Sequence, residues 1–227
     1  MAYPTVSLSL GDDLAGQMVV LTAFETSAVE TGRLARRLAR TVERAETQSG
    51  WGGERKQVIR TSTGGSKPRA VEIHGLGKRQ DFDDRRLAEW LAKTLNSAAS
   101  EGRRELMLAL PDHPCCRGRS ALRVLLEILG SGYRFDHFLS RRSRSALRKV
   151  HLVPPTAEDE TYRVALRLAR SIGRGIRTSR DLGNTPPNQA TPEWMAEEVL
   201  RLAEKRGLDC EVLGLSLIHI SEPTRPF

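Results

Sequence analysis

Residues 69–110 read RAVEIHGLGKRQDFDDRRLAEWLAKTLNSAASEGRRELMLAL, and this stretch decides the fold class. Residues 69–74 are a short run carrying β-branched side chains that stops at a glycine, the pattern of a strand. Over 84–98, Leu87, Trp90, Leu91 and Leu95 share one helical face. Aspartates precede that helix, where negative charge complements the dipole. Residues 105–110 (ELMLAL) form a second strand, ended by Pro111. A strand, a helix and a further strand in succession make the unit of an α/β layer with a parallel or mixed sheet.

The pattern continues on both sides. Residues 5–10 and 17–23 read as strands, and 28–45 as a helix with Leu34, Leu38, Val42 and Ala45 at helical spacing. A glycine-rich loop, Gly50 to Gly53, leads to a strand at 56–62, joined to the next strand through a Thr-Gly-Gly-Ser loop. Residues 119–130 are apolar nearly all round, which predicts a buried helix. Residues 148–153 form another strand, closed by Pro154 and Pro155. Leu87, Leu91, Leu108, Leu125 and Val150 are the expected core. A long helix follows over about 158–182, advancing ~100° per residue. It gathers Arg163, Arg167, Arg170, Arg174 and Arg177 near one line, with Ala165, Leu168, Ala169, Ile172 and Ile176 opposite. That arrangement predicts a solvated arginine ridge over a buried apolar face. Thr191-Pro192-Glu193 opens a second helix, with an N-cap, a proline suited to the first position and a dipole-matched glutamate. Gly207 ends it, and residues 209–213 are expected to begin a strand.

Composition narrows the function classes. The chain has 227 residues, 39% apolar and 28% charged, with a net charge of +8 in which arginine outnumbers lysine 30 to 6. It can bury a real core, and no apolar run approaches the ~18 residues of a membrane helix. The start, MAYPTVSLSLGDDL, lacks a basic region followed by an apolar one, so no signal peptide is expected. Three cysteines, with Cys115 and Cys116 adjacent, make no disulfide framework and suit a reduced, cytoplasmic protein.

Motifs for chemistry are sparse. Gly75-Leu76-Gly77-Lys78 follows a strand but matches neither phosphate-loop spacing, because Gln80 stands where the dinucleotide pattern needs glycine. Gly64-Gly65-Ser66-Lys67 fails in the same way. His113-Pro114-Cys115-Cys116 groups soft ligands without the paired spacing of a zinc site. No HExxH or GxSxG occurs. These residues read as structural, and no catalytic, metal or cofactor-binding residue is assigned.

The order GLGK (75–78), YRFD (133–136), DLGNTPPN (181–188), TPE (191–193) and EVL (211–213) resembles the leucyl (cytosol) aminopeptidases, the M17 metallopeptidases. Gly183 stands where that family usually has an aliphatic residue, and FLSRRS (138–143) replaces a commoner lysine-bearing stretch. The resemblance implies a three-layer, macro-domain-like N-terminal α/β domain over 1–155, a connecting helix over 156–182 and the first part of an α/β catalytic domain over 183–214. It also implies two divalent metal ions, zinc or manganese, a peptide substrate and a hexamer. The family's metal-binding N-T-D-A-E-G-R motif is absent, since Asn184-Thr185 is followed by Pro186, so no metal is expected in this chain. Residues 215–227, LSLIHISEPTRPF, resemble a translated sequencing adapter and are expected to pack on nothing specific. The expectation is therefore a truncated aminopeptidase without activity of its own. The alternative is a regulatory or DNA-binding α/β module using the arginine-rich helix 163–180; no membrane partner is expected.

Overall fold

A computed structural model describes residues 4–9, 18–29, 35–63, 70–138 and 147–213. Expectations for Leu34, the Thr-Gly-Gly-Ser loop, most of FLSRRS and the tail 215–227 fall outside them. The chain divides into two compact units, residues 1–177 and 178–227.

The first unit is built on six strands: β1 (Thr5–Leu8), β2 (Met18–Ala23), β3 (Val58–Ser62), β4 (Ala70–Gly75), β5 (Glu105–Ala109) and β6 (Lys149–Val153). Their order across the sheet is β1-β6-β5-β2-β4-β3. Every pairing is parallel except β3 with β4, which run antiparallel as neighbours joined by a short connection should. The helices are α1 (Ala35–Ser49), α2 (Asp84–Ser100), α3 (Ser120–Ser131) and α4 (Asp159–Asn184).

Alternation along the strands builds two cores. Val6, Val20, Leu106, Leu108, Val150 and Leu152 join the helices α2, α3 and α4 in one apolar cluster. Val19, Leu21, Val71, Ile73 and Met107 pack with Leu38, Val42 and Ala45 of α1 in the other. The result is three layers, as expected, and Leu87, Leu91, Leu108, Leu125 and Val150 are all buried. Asp83 caps α2 by accepting from the Arg86 N–H at 2.8 Å.

Two helices differ from expectation. α3 buries only Ala121, Val124, Leu125 and Ile128; Leu122, Leu126 and Leu129 are half-buried, because the sheet lies on one side of the helix alone. α4 buries Tyr162, Ala165, Leu166 and Ala169, while Leu168 is 50% exposed and Ile176 42% exposed. Its buried face is thus turned towards the arginine ridge. Tyr162 sets this rotation: its ring is fully buried and its hydroxyl donates to the Cys116 carbonyl at 2.7 Å. A buried phenol needs such a partner. The ridge is consequently not wholly solvated: Arg170 donates to the Val6 carbonyl at 2.9 Å.

The second unit contains the end of α4 and α5 (Pro192–Arg206). Thr191 caps α5 by accepting from the Trp194 N–H at 3.2 Å, and Gly207 closes it at φ +64°. Residues 209–213 are exposed and form no strand among the described residues, so that expectation is corrected. A strand needs a pairing partner, and none is described for this segment.

Candidate functional site

β4 carries the polar centre of the first unit. Its residues alternate, so Val71 and Ile73 face α1 while Glu72 and His74 face α2. Glu72 is 4% exposed and His74 9%. Buried charge of this kind survives only when paired and hydrogen-bonded. The Arg60 guanidinium on β3 donates to one Glu72 oxygen and also to Glu101 at 2.6 Å. His74 Nε2 lies 3.0 Å from the other Glu72 oxygen. On the opposite side of the ring, Trp90 Nε1 of α2 donates to His74 Nδ1 at 3.0 Å. An indole N–H can only donate, so Nδ1 accepts and the ring proton sits on Nε2, which donates to Glu72. The tautomer is fixed by the tryptophan.

Burial raises the Glu72 carboxyl, but hydrogen bonds from His74 and Arg60 outweigh it and hold the group below the usual glutamate range. Its stabilising contribution is therefore complete above the unfolded value, ~4.3, and is lost as pH falls through the lower folded value. Thermal melts between about pH 7 and pH 3 should show this as an acid-side loss. Glu72→Gln should melt lower at neutral pH and give a shallower acid limb. An unchanged limb would remove Glu72 from the account.

Above Glu72 and His74 lies a cavity of about 250 Å³ between β3, β4 and α2. Val58, Leu76, Phe82 and Trp90 supply apolar wall, and Arg55, Lys56, Arg86 and Lys93 stand among its other lining residues.

Open α/β sheets usually take ligands in a crevice where successive connections switch faces. Here it lies beyond the carboxyl ends of β2 and β5, which lead to α1 and α3 on opposite faces. Phe24 directly follows β2 and His113 lies in the segment after β5, and Phe82 stands edge-on to Phe24 at 5.3 Å and to His113 at 5.2 Å. Arg79 covers the Phe24 ring at 5.0 Å and donates to the Asp112 carbonyl.

The sequence motifs resolve as structure. In Gly75-Leu76-Gly77 the N–H groups donate to Gln57, Ala23 and Gly53 carbonyls at 2.8, 2.9 and 3.0 Å, so none is turned to a phosphate. His113 Nδ1 lies 3.0 Å from Cys115 Sγ, and Cys115 and Cys116 are buried. Burial, then Asp84, pushes the Cys115 thiol up, which keeps it protonated and unreactive. In DLGNTPPN, Thr185 donates to the Asp181 carbonyl at 2.7 Å and the Gln189 N–H to that of Pro186 at 2.9 Å, a closed turn between helices. In YRFD, Asp136 is 5% exposed, and its neighbour Phe135 meets His137 and Phe138 with tilted rings at 5.5 and 5.6 Å. Among the described residues no three His, Cys, Asp or Glu side chains could hold a metal ion. Sequence reasoning missed Glu72, His74 and Arg60 as a site. The available signal was a Glu and a His on a strand inside the sheet, where apolar residues are the rule.

Layering and topology define a three-layer α/β domain with a mixed sheet. Residues 19–142 match the cytosol aminopeptidase family, N-terminal domain, and the chain belongs to that family. A probable cytosol aminopeptidase of Halorhodospira halophila is 38% identical over 152 residues, covering 63% of this chain and 30% of that protein. One from Ralstonia pickettii is 34% identical over 158 residues, covering 66% and 32%. The cytosol aminopeptidase of Pseudomonas aeruginosa is 31% identical over 153, covering 65% and 31%. The chain thus spans about 30% of the length of these curated relatives. Two solved structures share the fold over 91% of this chain. The bottromycin maturation enzyme BotP has TM-score 0.64, 23% identity and 41% of its own chain covered. A tomato leucine aminopeptidase mutant has TM-score 0.61, 15% identity and 45% covered.

Proposed function

We propose that this chain is the N-terminal part of a cytosolic, metal-dependent aminopeptidase that removes N-terminal residues from peptides. The match of residues 19–142 to the family's N-terminal domain carries the reading. In it, residues 1–155 are the N-terminal domain, 156–182 the connecting helix and 183–214 the start of the catalytic domain. The whole protein binds two divalent ions, zinc or manganese, and assembles as a hexamer. The described residues do not fit such a metal centre: Glu197 and Glu198 lie on α5 without a third ligand.

The test is a leucine chromogenic substrate with added zinc or manganese. Residues 1–227 should give no turnover above blank, and a protein extended beyond Gly214 by the natural reading frame should be active and chelator-sensitive. Chelator-sensitive turnover by residues 1–227 would place the ligands in this chain. An inactive extended protein would overturn the aminopeptidase reading. DNA binding by the arginine ridge has charge alone in its favour. Arg163 is engaged by Glu160, Arg170 by Val6 and Arg174 by Ser171.

A further inference from the structure

We propose that the cavity between β3, β4 and α2 is a binding site for a small organic anion, a carboxylate carried on a flat apolar body. Its volume, about 250 Å³, lies just below the range of drug-sized ligand pockets, which run from ~300 Å³ upwards. That size excludes a dinucleotide and suits a body of one or two rings.

The wall is preorganised. Trp90 is held by its N–H on His74, and the two rings stand at 86° to each other. His74 is in turn held by Glu72, and Glu72 by Arg60. A fixed aromatic surface loses little freedom when a flat ligand is laid on it. The site also has no use for a cation, because both Glu72 oxygens are already taken by Arg60 and His74.

Charge decides the ligand's sign. Glu89 pairs with Arg55 and Arg85, and Arg86 lies 3.8 Å from Asp81. Lys56 and Lys93 line the cavity with no carboxylate within ion-pair distance among the described residues. One anionic group placed between such lysines gains charge-assisted hydrogen bonds. Lys56 is moreover held at φ +72°, where glycine would be the ordinary residue. The turn is closed by the Gln57 N–H on the Glu54 carbonyl at 3.0 Å and the Lys56 N–H on Gly75 at 3.2 Å. A non-glycine residue in this region costs ~1 kcal/mol or more, and such strain gathers at ligand-binding positions.

The experiment uses the full 227-residue chain, labelled with nitrogen-15. Three probes are titrated: 2-naphthoate, its neutral isostere 2-naphthamide, and inorganic phosphate. The Trp90 indole N–H signal is assigned by its loss in Trp90→Phe and read against Trp51 and Trp194. Naphthoate should shift Trp90 saturably at millimolar concentration or below. Naphthamide should bind at least about tenfold more weakly, and phosphate should not displace naphthoate. Lys56→Glu and Lys93→Glu, both exposed and thus harmless to the core, should each weaken naphthoate about tenfold without changing the melting temperature. Arg119→Glu, the same charge change at an exposed position outside the cavity, should leave affinity unaltered. The proposal is overturned if naphthoate leaves Trp90 unshifted, if the amide binds as well as the acid, if phosphate competes, or if Arg119→Glu weakens binding as much as the lysine variants.

Discussion

Gly75→Ala should destabilise the first unit by about 3 kcal/mol or more, which in a chain of this size lowers the melting temperature by roughly 6–12 °C. A Cβ on Gly75 would meet the Glu54 carbonyl oxygen at 2.1 Å and the Gly53 carbonyl at 2.9 Å. These are backbone atoms, so no side chain can rotate away. Neither segment can retreat cheaply, because Gly75 donates to Gln57 and accepts from Lys56 across the same gap. Gly175→Ala is the control. It lies exposed in α4 with nothing within 4 Å of its Cβ, so it should stabilise by up to ~1 kcal/mol through helix propensity. Thermal melts of the two variants check the pair. Equal melting would mean that β4 does not approach the Gly53–Glu54 loop as closely as described.

Leu108→Ala should cost about 2–5 kcal/mol, the range for truncating a fully buried leucine. Leu108 is 0% exposed on β5 and belongs to the larger core cluster, where the sheet meets the helices. Denaturant titration reads this as a lower midpoint with an unchanged slope. The same measurement tests the rotation of α4. Leu166→Ala should cost on the order of 2 kcal/mol, whereas Leu168→Ala should stay within about 0.5 kcal/mol. The reverse ranking would restore the face that helical periodicity suggests and contradict the Tyr162 anchor.

Most of the fold was legible because its signals are local. The run VEIH between a turn and a glycine marks β4, and Asp83 ahead of Leu87, Leu91 and Leu95 marks α2 with its start. Thr191, Pro192 and Gly207 bracket α5 in the same way. Family membership was legible too, through short stretches such as GLGK and DLGNTPPN, although each turns out to be a closed structural turn. The candidate site was not legible. Its members come from β3, β4 and α2, and spacing alone places Trp90 on an apolar face. Spacing says that Trp90 faces inward but not that its N–H ends on His74.

By itself the sequence determined which segments become strands and helices, the three-layer α/β class and the family. The segments and the α/β class rest on periodicity, capping and turn residues within a few positions of one another, and the three-layer form and the family on the resemblance carried by short motifs. Tertiary structure alone decided the strand order, the turn of α4 about its axis and the meeting of Arg60, Glu72, His74 and Trp90. The physical reason is that these depend on partners far apart in the chain. The Tyr162 hydroxyl needs the Cys116 carbonyl, and the Glu72 carboxylate needs Arg60 and His74. A buried polar group takes whichever partner the packing brings within reach, and no local pattern records that choice.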